Sequence, residues 1–441
     1  MQKIIIFILF FGFTLQLSSQ SSTALSDYRR SSLYSILIQH PEKDFYKQLA
    51  EVFYEMPVPD KFDDHNLNIR VLNYSNLQGT TADNKSIELF SDDVDPYQIV
   101  DLESTALKTE QTKELVANWL YGNGVARRMV AKWFDRDKAD GSFNMNLIAQ
   151  RGLYDASAID VAVARESVRG RHLLADAGEE LIGNSFIVVN DIMYIDKEEQ
   201  AQKVKKGLNI ATSVLSYVPG GGNIKQIANI AQGATMVGSL VAGSIAGFTV
   251  KITTHLYRLD WDEETANLFY QSYYYDNQSL DPTRKEAFEQ DLSMFKLTYV
   301  GSTEARSAKT TMRGVHRPED IIRKVCTRAI DNNILTLQRS YDVFKIKTPL
   351  TGASPIQAPV GVKEGVSDKS QFEVLERTED ANGRTSYRRV GVIAPVRGKI
   401  WDNTYMATEE GFANANLSAT EFRQVSGGPF APGMLIREIS F

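Results

Sequence analysis

Between Lys225 and Lys251 the chain carries no charged residue, while Gly233, Gly238, Gly243 and Gly247 recur through the stretch and Ala and Ser fill most of the gaps. An uncharged run of small residues must be buried, on a sheet, against another chain or in lipid. Small side chains let helices approach closely, as they do in membranes. Asn229, Gln232 and several hydroxyls hold the run below the hydrophobicity of a spanning helix. Upstream, Val204, Leu208, Ala211, Leu215 and Val218 mark a first helix, and Pro219-Gly-Gly-Gly-Asn223 marks a turn. The spacing predicts a helical hairpin over 197–247. Its flanks are apolar runs ending at Ile195 and starting at Phe248, which read as strands that would otherwise pair directly. Gly233, Gly238, Val241, Gly243 and Gly247 are the candidate residues for contact with a membrane or a partner.

The first twenty residues read as a secretory signal peptide. Lys3 supplies the positive charge, and Ile4 to Phe13 form an apolar run that is too short to span a bilayer. Gln16, Ser18, Ser19 and Gln20 end it, with cleavage expected near Ser19 or Gln20. No Cys follows, so the expected product is exported, unlipidated, and periplasmic, outer-membrane-associated or extracellular.

The remaining stretch, about 420 residues, is long enough for two or three domains. Charged residues make up 24% and the net charge is −6, with no basic block, which argues against nucleic acid, whose phosphates call for clustered cations. Cys326 is the only cysteine, so an apolar core rather than an internal disulfide must hold the fold. It lies in the helical stripe Ile321, Ile322, Val325, Ala329, Ile330, and reads as a small buried hydrophobe.

From 28 to 348 helical and strand patterns interleave. Pro41 sits where a helix takes its first residue, and Phe45, Leu49, Val52, Phe53 and Met56 give that helix one apolar face. Leu67–Leu72 reads as a strand and 80–96 as an irregular loop. A helix through Leu115, Trp119 and Leu120 breaks at Gly122-Asn-Gly124 and resumes through Met129 and Trp133. A strand is expected at Phe143–Ala149, a helix at 158–181, and strands at Ser185–Ile195 and Phe248–Asp260. Helices at 263–275 and 282–292, a strand at Phe295–Val300 and a helix from Ile321 to Tyr341 follow. Pro349, Pro355 and Pro359 mark 349–361 as a linker. Beyond it, 362–441 is patterned for a small β-barrel or sandwich, with Asn382-Gly383 as a hairpin turn. The fold class is α+β: a mixed α/β sheet domain with an inserted helical hairpin, then a small all-β, barrel-like domain.

Catalytic and cofactor motifs are missing. The histidines lack zinc-ligand spacing, no nucleophile elbow occurs, and Gly220-Gly-Gly-Asn223 lacks the Lys and Ser/Thr of a phosphate loop. Asp135-Arg-Asp-Lys-Ala-Asp-Gly141 resembles a calcium loop with its third carboxylate and Gly one position late. Asp155 with Asp176, Glu179 and Glu180 could be read as a paired-carboxylate hydrolase site, and Asn190 and Asp191, inside an apolar strand, must find partners. No cofactor or metal is expected, and no catalytic residue is assigned.

The segments Phe143-Asn-Met-Asn-Leu-Ile148, Arg151-Gly-Leu-Tyr-Asp155, Asp176–Gly183, Val189-Asn-Asp191, Phe372–Glu376 and Trp401-Asp-Asn403 resemble a family of uncharacterised secreted proteins of Bacteroidota. In element order the first domain is similar to the periplasmic domain of curli-secretion-channel proteins, although the lipidated Cys of that channel is absent. Gly365–Glu376 with Val390-Gly-Val-Ile393 resembles the small C-terminal barrel of flagellar assembly protein T. The family resemblance supplies no function; export, the two-unit organisation and the lack of catalytic motifs lead to the expectation of an exported, non-catalytic envelope scaffold or an assembly or secretion accessory, with an envelope protein or a second copy as partner. Two alternatives are a membrane-interacting protein acting through 197–247, and a secreted hydrolase with a carboxylate site.

Overall fold

A computed structural model describes residues 31–73 apart from 42 and 60, 109–148, 181–196, 245–312, 317–379 apart from 346, and 385–439 apart from 405–406 and 409–410. The chain is α+β. In the first sheet, β1 (Ser31–Gln39) lies parallel to β2 (Phe62–Asp64), β3 (Val71–Asn73) and β4 (Ser185–Asp196). β5 (Ile245–Leu259) runs antiparallel to β4, and β6 (Leu297–Met312) antiparallel to β5. The sheet is therefore mixed, and the two long runs read as neighbouring strands do pair, with Asp196 opposite Phe248.

Strand alternation sends side chains to two cores. Phe186, Val188, Ile192, Phe248, Val250 and Ile252 meet α1 (Tyr46–Glu55) and the later helix α6 (Pro318–Ser340) on one face. Ile187, Val189, Tyr257 and Leu259 meet an aromatic-rich layer on the other. That layer is built by α2 (Thr109–Gly122), α3 (Val125–Trp133), α4 (Glu263–Ser272) and α5 (Pro282–Gln290). Phe134 and Phe269 lie 4.5 Å apart between ring centroids, and Phe143 and Phe288 5.1 Å. Trp133, fully buried, donates from Nε1 to Ser185 Oγ at 2.7 Å.

Local chemistry sets the helix ends. Asp262 and Asp281 cap α4 and α5 by accepting from Thr265 N, and from Thr283 N and Arg284 N. Pro318 opens α6, with Glu319 and Asp320 in its first turn. Its apolar stripe includes Cys326, fully buried, and burial pushes the thiol pKa up. Gly124, at φ +56°, separates α2 from α3, where Leu292 and Arg127 leave no room for a Cβ.

The second sheet has seven strands in the order β7-β13-β10-β11-β12-β9-β8 and is curled. Its members are β7 (Thr348–Pro349), β8 (Gly352–Ala353), β9 (Ile356–Ala358), β10 (Phe372–Glu379), β11 (Thr385–Pro395), β12 (Thr420–Gly427) and β13 (Leu435–Glu438). Leu350, Val374, Ile393, Phe422 and Ile436 pack together on its inner side. The stretch 349–361, expected as a linker, thus supplies the last residue of β7 and all of β8 and β9. Its prolines are tolerated because they fall at strand ends and turns, where the ladder asks for fewer donors.

Other expectations are corrected. The first helix starts at Tyr46, not Pro41, after Phe45 in the left-handed region. Of the strand expected at Leu67–Leu72 only Val71 and Leu72 join the sheet, in β3, which ends at Asn73. Residues 143–148 of the strand expected at Phe143–Ala149 form none: Asn144 Oδ1 accepts from Asn146 N, turning the chain into a helical turn at 146–148. β6 continues twelve residues past its expected end at Val300. The loop 80–96, most of the 158–181 helix and nearly all of the 197–247 hairpin lie outside the described residues. The last three residues assigned to that hairpin, Ile245-Ala246-Gly247, belong to β5.

Candidate functional site

The polar residues with most potential for chemistry lie in the first sheet, around Asn190 and Asp191. Asn190 points to the α6 face and is fully buried. Its Nδ2 donates to Ser35 Oγ and Ile36 O, each at 3.2 Å, and its Oδ1 accepts from Thr254 Oγ1 at 2.8 Å. Thr254 Oγ1 in turn accepts from Asn333 Nδ2 at 2.6 Å. Asn333 Nδ2 also donates to Thr303 O at 3.2 Å, while Thr303 Oγ1 donates to Asn333 Oδ1 at 2.7 Å. Both amides thereby use their donors and their carbonyl oxygen. This chain of bonds crosses β1, β4, β5 and β6 and ends on α6. Such a network, fully satisfied in a low-dielectric interior, holds its members in one register.

Asp191 faces the opposite side, where His40 Nε2 lies 2.6 Å from its Oδ1. Farther along that face Lys251 Nζ lies 2.6 Å from Glu304 Oε1. A carboxylate at this distance fixes the orientation of the imidazole ring.

An open cleft of about 600 Å³ is lined by Arg258, Asp260, Trp261, Asp262, Leu268 and Lys296 among others. Two of its carboxylates have structural work: Asp260 accepts from Thr298 Oγ1 at 2.8 Å, and Asp262 caps α4. The Thr265 amide and hydroxyl hold the Asp262 carboxyl below the usual carboxylate range. The calcium-like loop is similarly closed on itself. Asp137 Oδ1 accepts from Ala139 N and Asp140 N, and Asp140 Oδ1 from Ser142 N. Among the described residues no group of three or more His, Cys, Asp or Glu side chains converges as a metal site.

Of the candidate contact residues, Gly233, Gly238, Val241 and Gly243 lie outside the described residues, as do Asp155, Asp176, Glu179 and Glu180. Gly247 is in β5, opposite Thr310 of β6. Sequence reading singled out Asn190 but missed Asn333. The signal was present: Ile330, Asn333, Ile334 and Leu337 stand at i, i+3, i+4 and i+7, which places an amide within an apolar stripe.

No protein-family model matches this sequence, and no curated protein matches it.

Proposed function

We propose that this chain is an exported, non-catalytic component of the cell envelope, a scaffold or an assembly or secretion accessory built from two β-sheet units. The observation that carries the reading is the commitment of Asn190. The polar residue best placed to mark an active site spends every hydrogen-bonding group on Ser35, Ile36 and Thr254. The hydrolase reading gains no support from it. Export rests on Lys3 and the apolar run after it. The direct β4–β5 pairing with helices on both faces fits the likeness to curli-secretion-channel periplasmic domains, and the curled second sheet fits the likeness to the flagellar assembly barrel. The test is affinity purification of the tagged chain from native envelopes. The reading expects a mature N-terminus between about Ser18 and Thr23, together with co-purifying envelope proteins or a second copy. Recovery from the cytoplasm with Met1 retained, or turnover of an envelope polymer by the pure chain, would overturn it.

A second reading, contact with a membrane through 197–244, is favoured by one observation. Because β4 and β5 are direct antiparallel neighbours, this segment leaves and re-enters the sheet at the same end. Among the described residues no helix is long and apolar enough to cross a membrane. The wild type should float with liposomes, and a Gly238→Asp, Val241→Asp double variant should not. If the wild type stays at the bottom of the gradient, this reading is wrong.

A further inference from the structure

Among the described residues β6 is the last strand of the first sheet. It pairs with β5 along one side, and its other side has no strand partner among the described residues. At sixteen residues it is a long edge, and a bare edge presents backbone donors and acceptors to any strand that fits. The strand is irregular at Val300-Gly301, where Tyr257 lies opposite Tyr299 but Leu256 lies opposite Gly301. This bulge reverses the facing of β6: Leu297 and Tyr299 pack on the aromatic layer, whereas Val300 and Ala305 pack on the α6 face. Tyr341 Oη donates to Ser302 O, and a methyl group on Gly301 would collide with that hydroxyl. Tyr341 therefore sits over the face of the sheet and not across its edge. Asn333 reaches Thr303 from the same face.

From the bulge onward the strand reads Gly301-Ser-Thr-Glu-Ala-Arg-Ser-Ala-Lys309, and Glu304, Arg306 and Ala308 are exposed. The charges are opposite in sign on either side of Ala305. A two-fold axis through Ala305, perpendicular to the sheet, would set Glu304 of one protomer opposite Arg306 of the other, twice, on one face. It would also set Thr303 opposite Ser307 on the other face. Opposite charges and hydroxyl pairs facing across antiparallel strands are favourable, and like charges there are not. Charges on an edge more often protect it from pairing, but protection does not call for this antisymmetric order.

We propose that β6 is a homodimerisation edge, pairing antiparallel with β6 of a second copy about Ala305 and joining two first sheets into one. This deepens the scaffold reading by naming the partner and its register, and it can fail while that reading stands. The test is sedimentation of the full chain over a range of concentrations. Wild type should dimerise. Glu304→Arg and Arg306→Glu should each weaken the dimer at least tenfold or so by placing like charges opposite each other, and the double reversal should restore it. Register is read separately. Ala305→Cys should cross-link to a dimer with a short bis-maleimide, and Ala308→Cys, opposite Ser302, should not; Cys326 is buried and does not compete. Circular dichroism checks that each variant is folded, and Arg306→Glu serves if the loss of the Lys251 contact unfolds Glu304→Arg. A wild type that is monomeric throughout, a double reversal that fails to restore the dimer, or cross-linking at Ala308 in place of Ala305 overturns the proposal.

Discussion

Replacing Trp133 with Ala should lower the unfolding free energy by about 3–5 kcal/mol in urea titration, the range for removing a large aromatic from a packed core. That is a large share of the stability of an ordinary domain, about 5–15 kcal/mol. Trp133 is fully buried beneath β4, in contact with the layer formed by Phe134, Phe143 and Phe269. Truncation would open a void and leave the Ser185 hydroxyl without its indole donor. Trp133→Phe keeps most of the volume and loses the donor, so it should cost about 1–3 kcal/mol. Equal losses for the two variants would mean that the hydrogen bond, and not the packing, dominates this site.

The amide chain across the sheet should respond as a unit. Asn190→Ala and Asn333→Ala should each cost about 3 kcal/mol, because each leaves buried groups unpaired at Thr254 and at a second element. The two residues share Thr254, so the double variant should lose less than the sum by about 1 kcal/mol or more. Strict additivity in a double-mutant cycle would show that the two amides act separately. An Asn190→Leu variant as stable as wild type would show that shape alone suffices there, as apolar replacement of a whole polar set sometimes does.

Where periodicity was backed by punctuation, the sequence was readable. The break at Gly122-Asn-Gly124 falls between α2 and α3, and β4, β5 and α6 lie within a few residues of their expected bounds. Failures have local causes. Phe143, Met145 and Leu147 alternate with Asn144 and Asn146, but the polar residues make a turn and Phe143 enters an aromatic cluster. The expected strand ends at Val300, whereas β6 runs on through Ser302–Met312, which lacks the apolar alternation of a buried strand. Among the described residues no second neighbouring strand flanks it to demand that alternation. The short strands β7, β8 and β9 have too few residues to show any period, and their prolines suggested a linker. At the candidate site, Asn190 stood out because an amide interrupted an apolar run. Its partners Thr254 and Asn333 lie far away in sequence, and only the fold brings them together.

The pairing of β7 with β13 fixes the order in which the second sheet can be completed. Thr348 and Pro349 lie opposite Ile436 and Leu435, and Leu350 exchanges backbone hydrogen bonds with Gly433 and Met434. The strand that enters this unit is therefore latched by the strand that leaves it. For a chain delivered N-terminus first, from a ribosome or through a pore, β10, β11 and β12 can meander into place as they emerge. β7 must wait with Leu350 unburied until β13 arrives, a long-range closure that is slow compared with local hairpins. During that interval the half-made sheet offers the side of β10 later taken by β13 to any strand nearby, whether a chaperone's, a neighbour's or its own.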